Sequence, residues 1–287
     1  MRELERSQEI ERSISRKFRS KLWGSFIKAI KNYELLKEND KVAVCISGGK
    51  DSMCMAVLFK MLQKHSDFPF EVEYLVMDPG YNELNRRKIE ENAAILDIPV
   101  KIFETNIFEV ADMNYKSPCY LCAKMRRGAL YRIAQQLGCN KIALGHHFED
   151  VIETTLLGMF YASKLEAMIP KLHSQNYEGM ELIRPMYCIH EEDIIAWSKY
   201  NNLEFIQCAC RFTERNAAGE TSSKRREMKA LVKELKKTNP KADISLFNSI
   251  HKVCIETFPG YKLDGDYHSF LENYDENKGE EDEVQAD

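Results

Sequence analysis

The sequence predicts an α/β fold in which a doubly wound, mostly parallel sheet carries helical additions at both ends of the chain. Three observations support this prediction. Short apolar runs alternate with helix-type stretches, the first run leads into a glycine-rich loop, and amphipathic helical patterns flank the alternating region. In such folds, ligands bind where the parallel strands end. The polar residues at those ends are therefore the first candidates for a functional site.

Size and composition limit the class of protein. With 287 residues, of which 44% are hydrophobic and 30% charged, the chain has the composition of a soluble protein of one or two domains. No apolar run approaches the roughly 20 residues of a membrane helix. Residues 1–18 are charged throughout and unlike a signal peptide, so we expect a cytoplasmic protein. In that compartment the nine cysteines are more often metal ligands or catalytic groups than disulfide partners.

Charge is distributed unevenly along the chain. Residues 272–287 hold eight acids and one lysine, a net charge of −7, whereas the whole chain carries −4 and the remainder is therefore mildly basic. A basic body allows a nucleic-acid partner. We expect an N-terminal helical segment (1–37), a catalytic core (38–215), a basic, RNA-contacting helical segment (216–271) and a disordered acidic tail (272–287).

The elements follow from apolar spacing, with period two in strands and near 3.6 in helices. Strands are expected at 42–46, 70–77, 100–103, 141–144 and 203–207, with a hairpin or loop at 176–183. Helices are expected at 1–36 (one or two), 53–62, 85–96, 148–160, 191–201, 222–237 and 244–258.

Two helical segments have basic faces, which are either solvated surfaces or RNA contacts. The basic residues are Arg12, Arg16, Arg19, Lys21, Lys28 and Lys31 in the first, and Lys224, Arg225, Arg226, Lys229, Lys233, Lys236 and Lys237 in the second. Lys164 and Lys171 are further candidates for RNA contact.

The strongest functional signal is the loop after the first strand, Ser47 to Ser52 (SGGKDS). A strand, a glycine-rich loop and a helix aim backbone N–H groups and the helix N-terminus at one point, which is an anion site. Lys50 adds a positive charge there. The glycine spacing differs from that of the mononucleotide P-loop, GxxxxGK[ST]. The ordinary alternative is a glycine-rich turn that binds nothing.

Two cysteine pairs form the second signal. Cys119 and Cys122 make a CxxC turn, which can hold a metal or act as a redox pair. Cys208 and Cys210 follow the expected fifth strand, in which alternate residues share a face. The four thiols together suit a tetrahedral zinc site. Three of them suit an iron–sulfur cluster with one iron left open.

The third signal is the stretch 145–154 (GHHFEDVIET), where the fourth strand ends and a helix starts. In a doubly wound sheet this point lies beside the phosphate loop. Asp150 and Glu153 share one helix face and are suited to hold Mg²⁺ or to orient a phosphate-bound water. The alternative is that they cap the helix and form a surface acid pair.

Four stretches of the sequence together resemble one family. They are SGGKDS, the CxxC followed by RRGALY, the stretch KIALGHH with its following ED and ET, and YASKLEAMIPKL at 161–172. The family is the tRNA 2-thiocytidine synthetase (TtcA) group of PP-loop ATP pyrophosphatases, and the likeness covers about residues 30–215. The resemblance implies an adenine nucleotide alpha-hydrolase-like fold and tRNA thiolation with ATP, Mg²⁺ and a [4Fe–4S] cluster. Related 2-thiouridine enzymes carry zinc-finger cysteines at both ends. This N-terminus has none, which favours the cytidine-type branch.

The resemblance also implies roles for individual residues. The expected nucleotide contacts are Ser47, Gly48, Gly49, Lys50, Asp51, Ser52, Met77, Gly145, His146 and Asp150. Of these, Lys50, Asp51 and Asp150 are expected to be catalytic, with both aspartates near Mg²⁺. The expected cluster ligands are Cys119, Cys122 and Cys210, with Cys208 as the alternative third ligand.

The implied chemistry is activation followed by displacement. Adenylation turns the C2 oxygen of a pyrimidine into a leaving group, and Lys50, the loop amides and Mg²⁺ stabilise the pyrophosphate. Sulfide on the open iron, or a cysteine persulfide, then attacks C2 and AMP leaves. The expected partners are tRNA and a sulfur donor, either a cysteine desulfurase or inorganic sulfide. A homodimer is expected by analogy alone.

Two other functions are compatible with the sequence. One is a different PP-loop adenylating enzyme, of the lysidine-synthetase or amide-forming type, with structural zinc. The two cysteine pairs argue against it, because such enzymes need no cysteine cluster. The other is an ATP-responsive, metal-containing RNA-binding protein without turnover, which tRNA-stimulated pyrophosphate release would distinguish from an enzyme.

Overall fold

The computed structural model describes residues 4–112, 118–206 and 220–274. Its central sheet has six strands in the order β3-β2-β1-β4-β6-β5, and every neighbouring pair is parallel except β6 with β5. The strands are β1 (Lys41–Ile46), β2 (Glu71–Asp78), β3 (Val100–Glu104), β4 (Lys141–Ala143), β5 (Lys171–His173) and β6 (Glu181–Ile183). A separate antiparallel hairpin follows near the C-terminus, made of β7 (Gly260–Leu263) and β8 (Asp266–Ser269).

Helices cover the sheet and extend it at both ends. They are α1 (Arg6–Ser15), α2 (Ser25–Asn32), α3 (Lys50–His65), α4 (Glu83–Ile95), α5 (Ile107–Asp112), α6 (Pro118–Gln136), α7 (Phe148–Ala162), α8 (Glu191–Tyr200), α9 (Glu220–Thr238) and α10 (Ala242–Ser249). A π-helical segment, Arg19–Gly24, precedes α2, and 3₁₀ turns lie at Ile255–Thr257 and Phe270–Asn273. Within the described ranges, no helix combines the length and apolar character needed to cross a membrane.

The predicted doubly wound sheet is confirmed. From β1 the chain builds outward through β2 to β3, then returns to place β4 on the other side of β1. The strand order therefore reverses between β1 and β4, which is where ligands bind in open α/β sheets. β1, β2 and β4 end side by side at one edge. The phosphate loop, Asp78 and Gly145 lie at that edge.

Some predicted elements differ from the structure. The prediction of a strand at 203–207 is wrong for residues 203–206, which form no strand. Gln207 lies outside the described residues. The carbonyl of Glu204 is bound by the side-chain amide of Asn92 at 2.9 Å instead of by a neighbouring strand. The helix expected at 244–258 ends at Ser249. The segment expected as a hairpin or loop forms the β5–β6 hairpin, which begins earlier, at Lys171.

A shared hydrophobic core joins the sheet to both ends of the chain. The apolar stripe of the N-terminal helices is buried, and Phe26 meets Phe59 of α3 edge to face at 5.4 Å between ring centres. Near the C-terminus, Phe247 of α10 stacks on Phe148 of α7 at 4.4 Å. The C-terminal helices therefore hold α7 against the sheet, with the N-terminus of α7 at the strand ends.

Candidate active site

Two glycines permit close backbone packing at the strand ends. Gly48 has a φ of +82°, and a Cβ there would lie 2.5 Å from Ile89 Cγ1 and 2.7 Å from Ile206 Cδ1. Both the conformation and the lack of space require glycine. Gly145, after β4, lies so close to the first turn of α3 that a Cβ would be 3.2 Å from the Ser52 nitrogen. The phosphate loop is thus wedged between α4 and the end of β4.

Hydrogen bonds fix the turn from β1 into α3. The Ser52 hydroxyl accepts the Ser47 N–H at 3.1 Å and donates to the Gly49 carbonyl at 3.0 Å. Gly49 is the N-cap residue, and Lys50 begins the helix. The helix is therefore longer than the sequence predicted, and Lys50 lies in its first turn. The unpaired N–H groups and positive end of this helix form an anion site.

The strand ends open into a cavity of about 400 Å³, which we call the nucleotide cavity. Of the predicted nucleotide contacts, it is lined by Ser47, Asp51, Ser52, Met77, Gly145, His146 and Asp150. Part of its lining comes from α6, through Ala123, Arg126, Arg127 and Leu130. The fold thus brings residues from four separate stretches of the sequence together. It places them against the helix that contains Cys119 and Cys122.

A second cavity, of about 440 Å³, shares Asp51 and Asp150 with the first. Its further lining residues are Lys50, His147, Glu153, Glu191, Arg225, Arg226 and Lys229. Lys50 Nζ lies 3.0 Å from Glu191 and 3.1 Å from Asp51, and Lys229 of α9 pairs with the same Glu191. The C-terminal helix α9 therefore completes a cavity that begins at the phosphate loop.

The predicted carboxylates have different surroundings. Asp150 caps its own helix by accepting the His147 N–H at 3.0 Å, and it accepts the Arg225 guanidinium at 2.8 Å. Arg225 also lies 3.4 Å from Glu153, so the predicted acid pair meets a cation from α9. Asp51 Oδ1 is buried without a hydrogen bond in the described part of the chain, but Lys50 Nζ lies 3.1 Å from it. A magnesium ion at Asp51 would therefore share this carboxylate with Lys50 or displace it.

The two histidines after β4 have opposite electrostatic environments. Burial lowers the pKa of His146 to about 4, so its imidazole is neutral at physiological pH. Burial also opposes protonation of His147, but Glu149, Asp150 and Asp51 outweigh it and raise the His147 pKa. A neutral His146 faces the nucleotide cavity, while His147 belongs to the charged second cavity.

Glu149 holds the N-termini of α7 and α8 together. Its carboxylate lies 3.2 Å from His147 Nδ1 and 3.0 Å from His190 Nδ1, and it accepts the Glu191 N–H at 2.8 Å. Burial would raise the pKa of Glu149, but these donors hold it well below the ordinary range. Sequence reasoning missed this carboxylate, because the contacts that fix it come from residues about forty positions away.

Arg184 was also missed by sequence reasoning. It follows β6, is only 9% exposed, and donates one guanidinium N–H to the Ile169 carbonyl. Its Nε is buried without a hydrogen-bond partner among the described residues. The one signal available in the sequence was its position after an apolar run, but that run was interpreted as a hairpin or loop.

The predicted metal ligands lie only partly within the described residues. Cys119 and Cys122 are in the first turns of α6, not in the turn that the sequence predicted, and Cys122 is buried. Cys208 and Cys210 lie outside the described residues. Among residues that are described, no group of three or more His, Cys, Asp or Glu is arranged to hold a metal. Cysteine thiolates are the usual ligands of iron–sulfur clusters, so the predicted donor set suits such a group.

Comparison with known proteins identifies the family. A family model for the PP-loop domain matches residues 19–215. A tRNA-cytidine(32) 2-sulfurtransferase from Geotalea uraniireducens is 35% identical over 241 residues, which cover 83% of this chain and 91% of that protein. This chain belongs to the tRNA-cytidine(32) 2-sulfurtransferase family of PP-loop proteins. A second family member, from Polaromonas naphthalenivorans, is 32% identical and covers 93% of this chain.

Membership of this family confirms the resemblance drawn from the motifs and favours neither alternative function. Among solved structures, the U34-tRNA thiolase NcsA from Methanococcus maripaludis, solved with its [4Fe-4S] cluster, matches with a TM-score of 0.63. It is 20% identical and the match covers 86% of this chain and 83% of that one. At that identity the likeness supports the fold alone, a PP-loop α/β sheet.

Proposed function

We propose that this chain is an ATP-dependent tRNA sulfurtransferase that replaces the C2 oxygen of a cytidine with sulfur, at position 32 as in the names of its relatives. The observation that carries the proposal is the nucleotide cavity, which joins the phosphate loop to the helix containing Cys119 and Cys122. Thiolation of a carbonyl carbon needs an activating nucleotide and a sulfur source at one place. The cavity contains the phosphate loop, and the helix that carries the two cysteines forms part of its wall.

The phosphate loop fits the activation step. The C2 oxygen attacks the α-phosphorus of ATP, the bond between the α- and β-phosphates breaks, and pyrophosphate leaves. Lys50, the loop N–H groups and the N-terminus of α3 would stabilise the charge on pyrophosphate. The adjoining second cavity contains Arg225 and Lys229, which would exchange their carboxylate partners for pyrophosphate.

Magnesium and an iron–sulfur cluster belong to the proposal as bound groups. Asp51 and Asp150 would hold magnesium, which requires Lys50 and Arg225, the cations paired with them, to share these carboxylates or move away. Magnesium would offset charge on the phosphates. Cys119, Cys122 and Cys210, with Cys208 as the alternative, would hold a [4Fe–4S] cluster, whose open iron would supply a binding place for sulfur.

Two further points are proposed on the resemblance alone, a homodimeric state and a sulfur donor that is either a cysteine desulfurase or inorganic sulfide. A cytoplasmic location is proposed from the charged residues 1–18. The RNA-contacting role of the basic helix faces stays a prediction as well. So do the segment limits, which are 1–37, 38–215, 216–271 and 272–287.

Pyrophosphate release with and without tRNA tests the activation step. We expect release that depends on tRNA, and a loss of about 100-fold or more in Lys50→Gln because a fixed charge on the leaving group is removed. Lys64→Gln is the matched control, since Lys64 lies in the same helix at its far end and pairs with Glu11. Release that is unaffected by tRNA would favour a binding protein.

Metal analysis of anaerobically purified protein tests the cluster. We expect about four irons and four sulfides per chain. Cys122→Ala should lose them, whereas Cys254→Ala, at an exposed cysteine, should keep them. One zinc per chain without iron would contradict the iron–sulfur cluster. It would not contradict the proposed adenylation by the PP-loop.

A further inference from the structure

The wall of the nucleotide cavity formed by α6 carries two arginines. Arg126 and Arg127 line the same cavity as Ser47 and Ser52 of the phosphate loop. Both arginines lie within two turns of Cys122 on one helix. A helix is a rigid element, so the backbone positions of these arginines and of Cys122 are fixed relative to each other. One helix thus carries Cys122 and, one to two turns further on, the two arginines that line the cavity.

These two arginines are not neutralised by the described part of the protein. The two carboxylates that line the cavity form ion pairs with other residues, Asp51 with Lys50 and Asp150 with Arg225. The side chains of Arg126 and Arg127 form neither an ion pair nor a hydrogen bond with any described residue. Guanidinium groups in a concave site without a carboxylate partner are suited to bind an anionic ligand, and their fork matches two phosphate oxygens.

Arg184 adds a third positive charge behind this wall. It is nine-tenths buried, and its Nε has no hydrogen-bond partner among the described residues. Burial and the nearby charge of Arg127 lower the pKa of Arg184 to about 10. The charges of Arg184 and Arg127 therefore repel each other, and an anion bound beside Arg127 would offset that repulsion.

The chemistry of thiolation requires two anionic leaving groups, and the phosphate loop serves only the first. In the second half-reaction, with inorganic sulfide as the sulfur donor, a hydrogen sulfide anion forms a bond to C2. The C2–O bond breaks, its electron pair stays on the oxygen of AMP, and the sulfide proton passes to solvent. The phosphate of AMP gains a negative charge as it leaves, and no redox change occurs.

We propose that Arg126 and Arg127 bind the α-phosphate of the adenylated cytidine and stabilise AMP as it departs, so that α6 serves the second half-reaction while the phosphate loop serves the first. The inference rests on the proposed sulfurtransferase function and assigns a second leaving-group site to the same cavity. Because arginine does not lose its proton in proteins, these residues act as fixed charges and not as acids.

Separating the two half-reactions tests this assignment. Single-turnover reactions of anaerobic protein with tRNA, sulfide and radiolabelled ATP report pyrophosphate for the first half, and AMP and thiolated tRNA for the second. In Arg126→Gln and Arg127→Gln we expect pyrophosphate release within about 3-fold of the wild type. Release of AMP should fall about 100-fold, and adenylated tRNA should accumulate. Arg126→Lys and Arg127→Lys should recover part of the loss, because a point charge remains.

The controls separate this inference from the proposed function. Arg132→Gln changes an exposed arginine of the same helix and should leave both half-reactions unchanged. If the glutamine variants lose pyrophosphate and AMP release by the same factor, or lose neither, the assignment to the second half-reaction is wrong. If the wild type itself releases no pyrophosphate with tRNA, the proposed function fails instead. Melting temperatures near that of the wild type exclude unfolding as the cause.

Discussion

At the scale of single residues, the shape of the phosphate site depends on Gly48. Its left-handed conformation turns the chain out of β1, and its missing side chain leaves room for Ile89 and Ile206. Lys50 and Ser52 can begin a helix directly after it because the turn is so tight. The two glycines of the SGG motif have different structural roles, because Gly49 has an ordinary φ and is the N-cap residue of α3.

Replacing Gly48 by alanine should therefore cost both stability and nucleotide binding. Left-handed backbone costs about 1–2 kcal/mol for an L-residue, and the clash adds about 1–3 kcal/mol. Gly138→Ala is the matched control, because Gly138 has a φ of +72° but open space around its Cα. Urea unfolding and ATP titration of both variants measure the difference. Equal losses would show that crowding at Gly48 is unimportant.

Residue types in the sequence predicted which residues line the nucleotide cavity better than they predicted the ion pairs of those residues. Asp150 was predicted to hold magnesium, and the structure pairs it with Arg225 from a helix 75 positions further along. Arg184 was not predicted at all. Both depend on which helix packs against which, and a local pattern does not contain that information. The positions of Ser47, Met77 and Gly145 follow from strand ends alone, and for that reason they could be predicted.

At the scale of elements, apolar periodicity predicted the parallel strands and their neighbouring helices because each is buried on a defined face. The same reasoning failed at 203–206, where a β-like pattern packs beneath the phosphate loop without pairing. It also missed the β7–β8 hairpin, whose turn at Asp264 and Gly265 joins strands of mostly exposed residues. Exposed strands lack the alternation that reveals buried ones.

The Glu149 contact between α7 and α8 predicts a pH dependence of stability. The lowered pKa of Glu149 makes its contribution complete above about pH 4.3, and that contribution is lost as pH falls further. Glu149 raises the pKa values of His147 and His190. Their contribution is complete below about pH 6.5 and is lost as pH rises through the raised values. All three groups therefore contribute together between about pH 4.5 and 6.5.

Glu149→Gln should consequently lose more free energy of unfolding at about pH 6 than at about pH 9, where the imidazoles are neutral in both proteins. Urea unfolding at the two pH values measures the loss. Glu178→Gln, at an exposed glutamate, is the control and should show little loss at either pH. A loss that is the same at both values would contradict the proposed charge pairing across the two helices.

At the scale of the whole molecule, the ends of the chain belong to the same core as the sheet. The core extends from Ile10 to Phe247 and passes through α3 and α7. The family model ends at residue 215, yet α9 beyond it supplies Arg225 and Lys229 to the second cavity. The proposed activation site is therefore completed by a helix outside the matched PP-loop domain.

A shared core predicts a single unfolding transition. Phe26→Ala and Phe247→Ala should each lower the free energy of unfolding by about 3–5 kcal/mol, because each ring is buried against another ring of the core. Fluorescence of the two tryptophans, Trp23 and Trp197, follows the transition. Leu84→Ala, at a side chain that is 74% exposed, should change it by about 0.5 kcal/mol or less. Two transitions, of which Phe247→Ala shifts only one, would indicate separate domains.

Nucleoside analysis of the product tRNA tests the central claim most directly. Anaerobically purified protein is incubated with ATP, sulfide and unmodified tRNA, and the tRNA is digested and analysed by mass spectrometry. The account predicts 2-thiocytidine at position 32, as in the relatives, and none when ATP is omitted or in Lys50→Gln. Pyrophosphate release with no thiolated nucleoside, or with a lysine-modified cytidine instead, would contradict it.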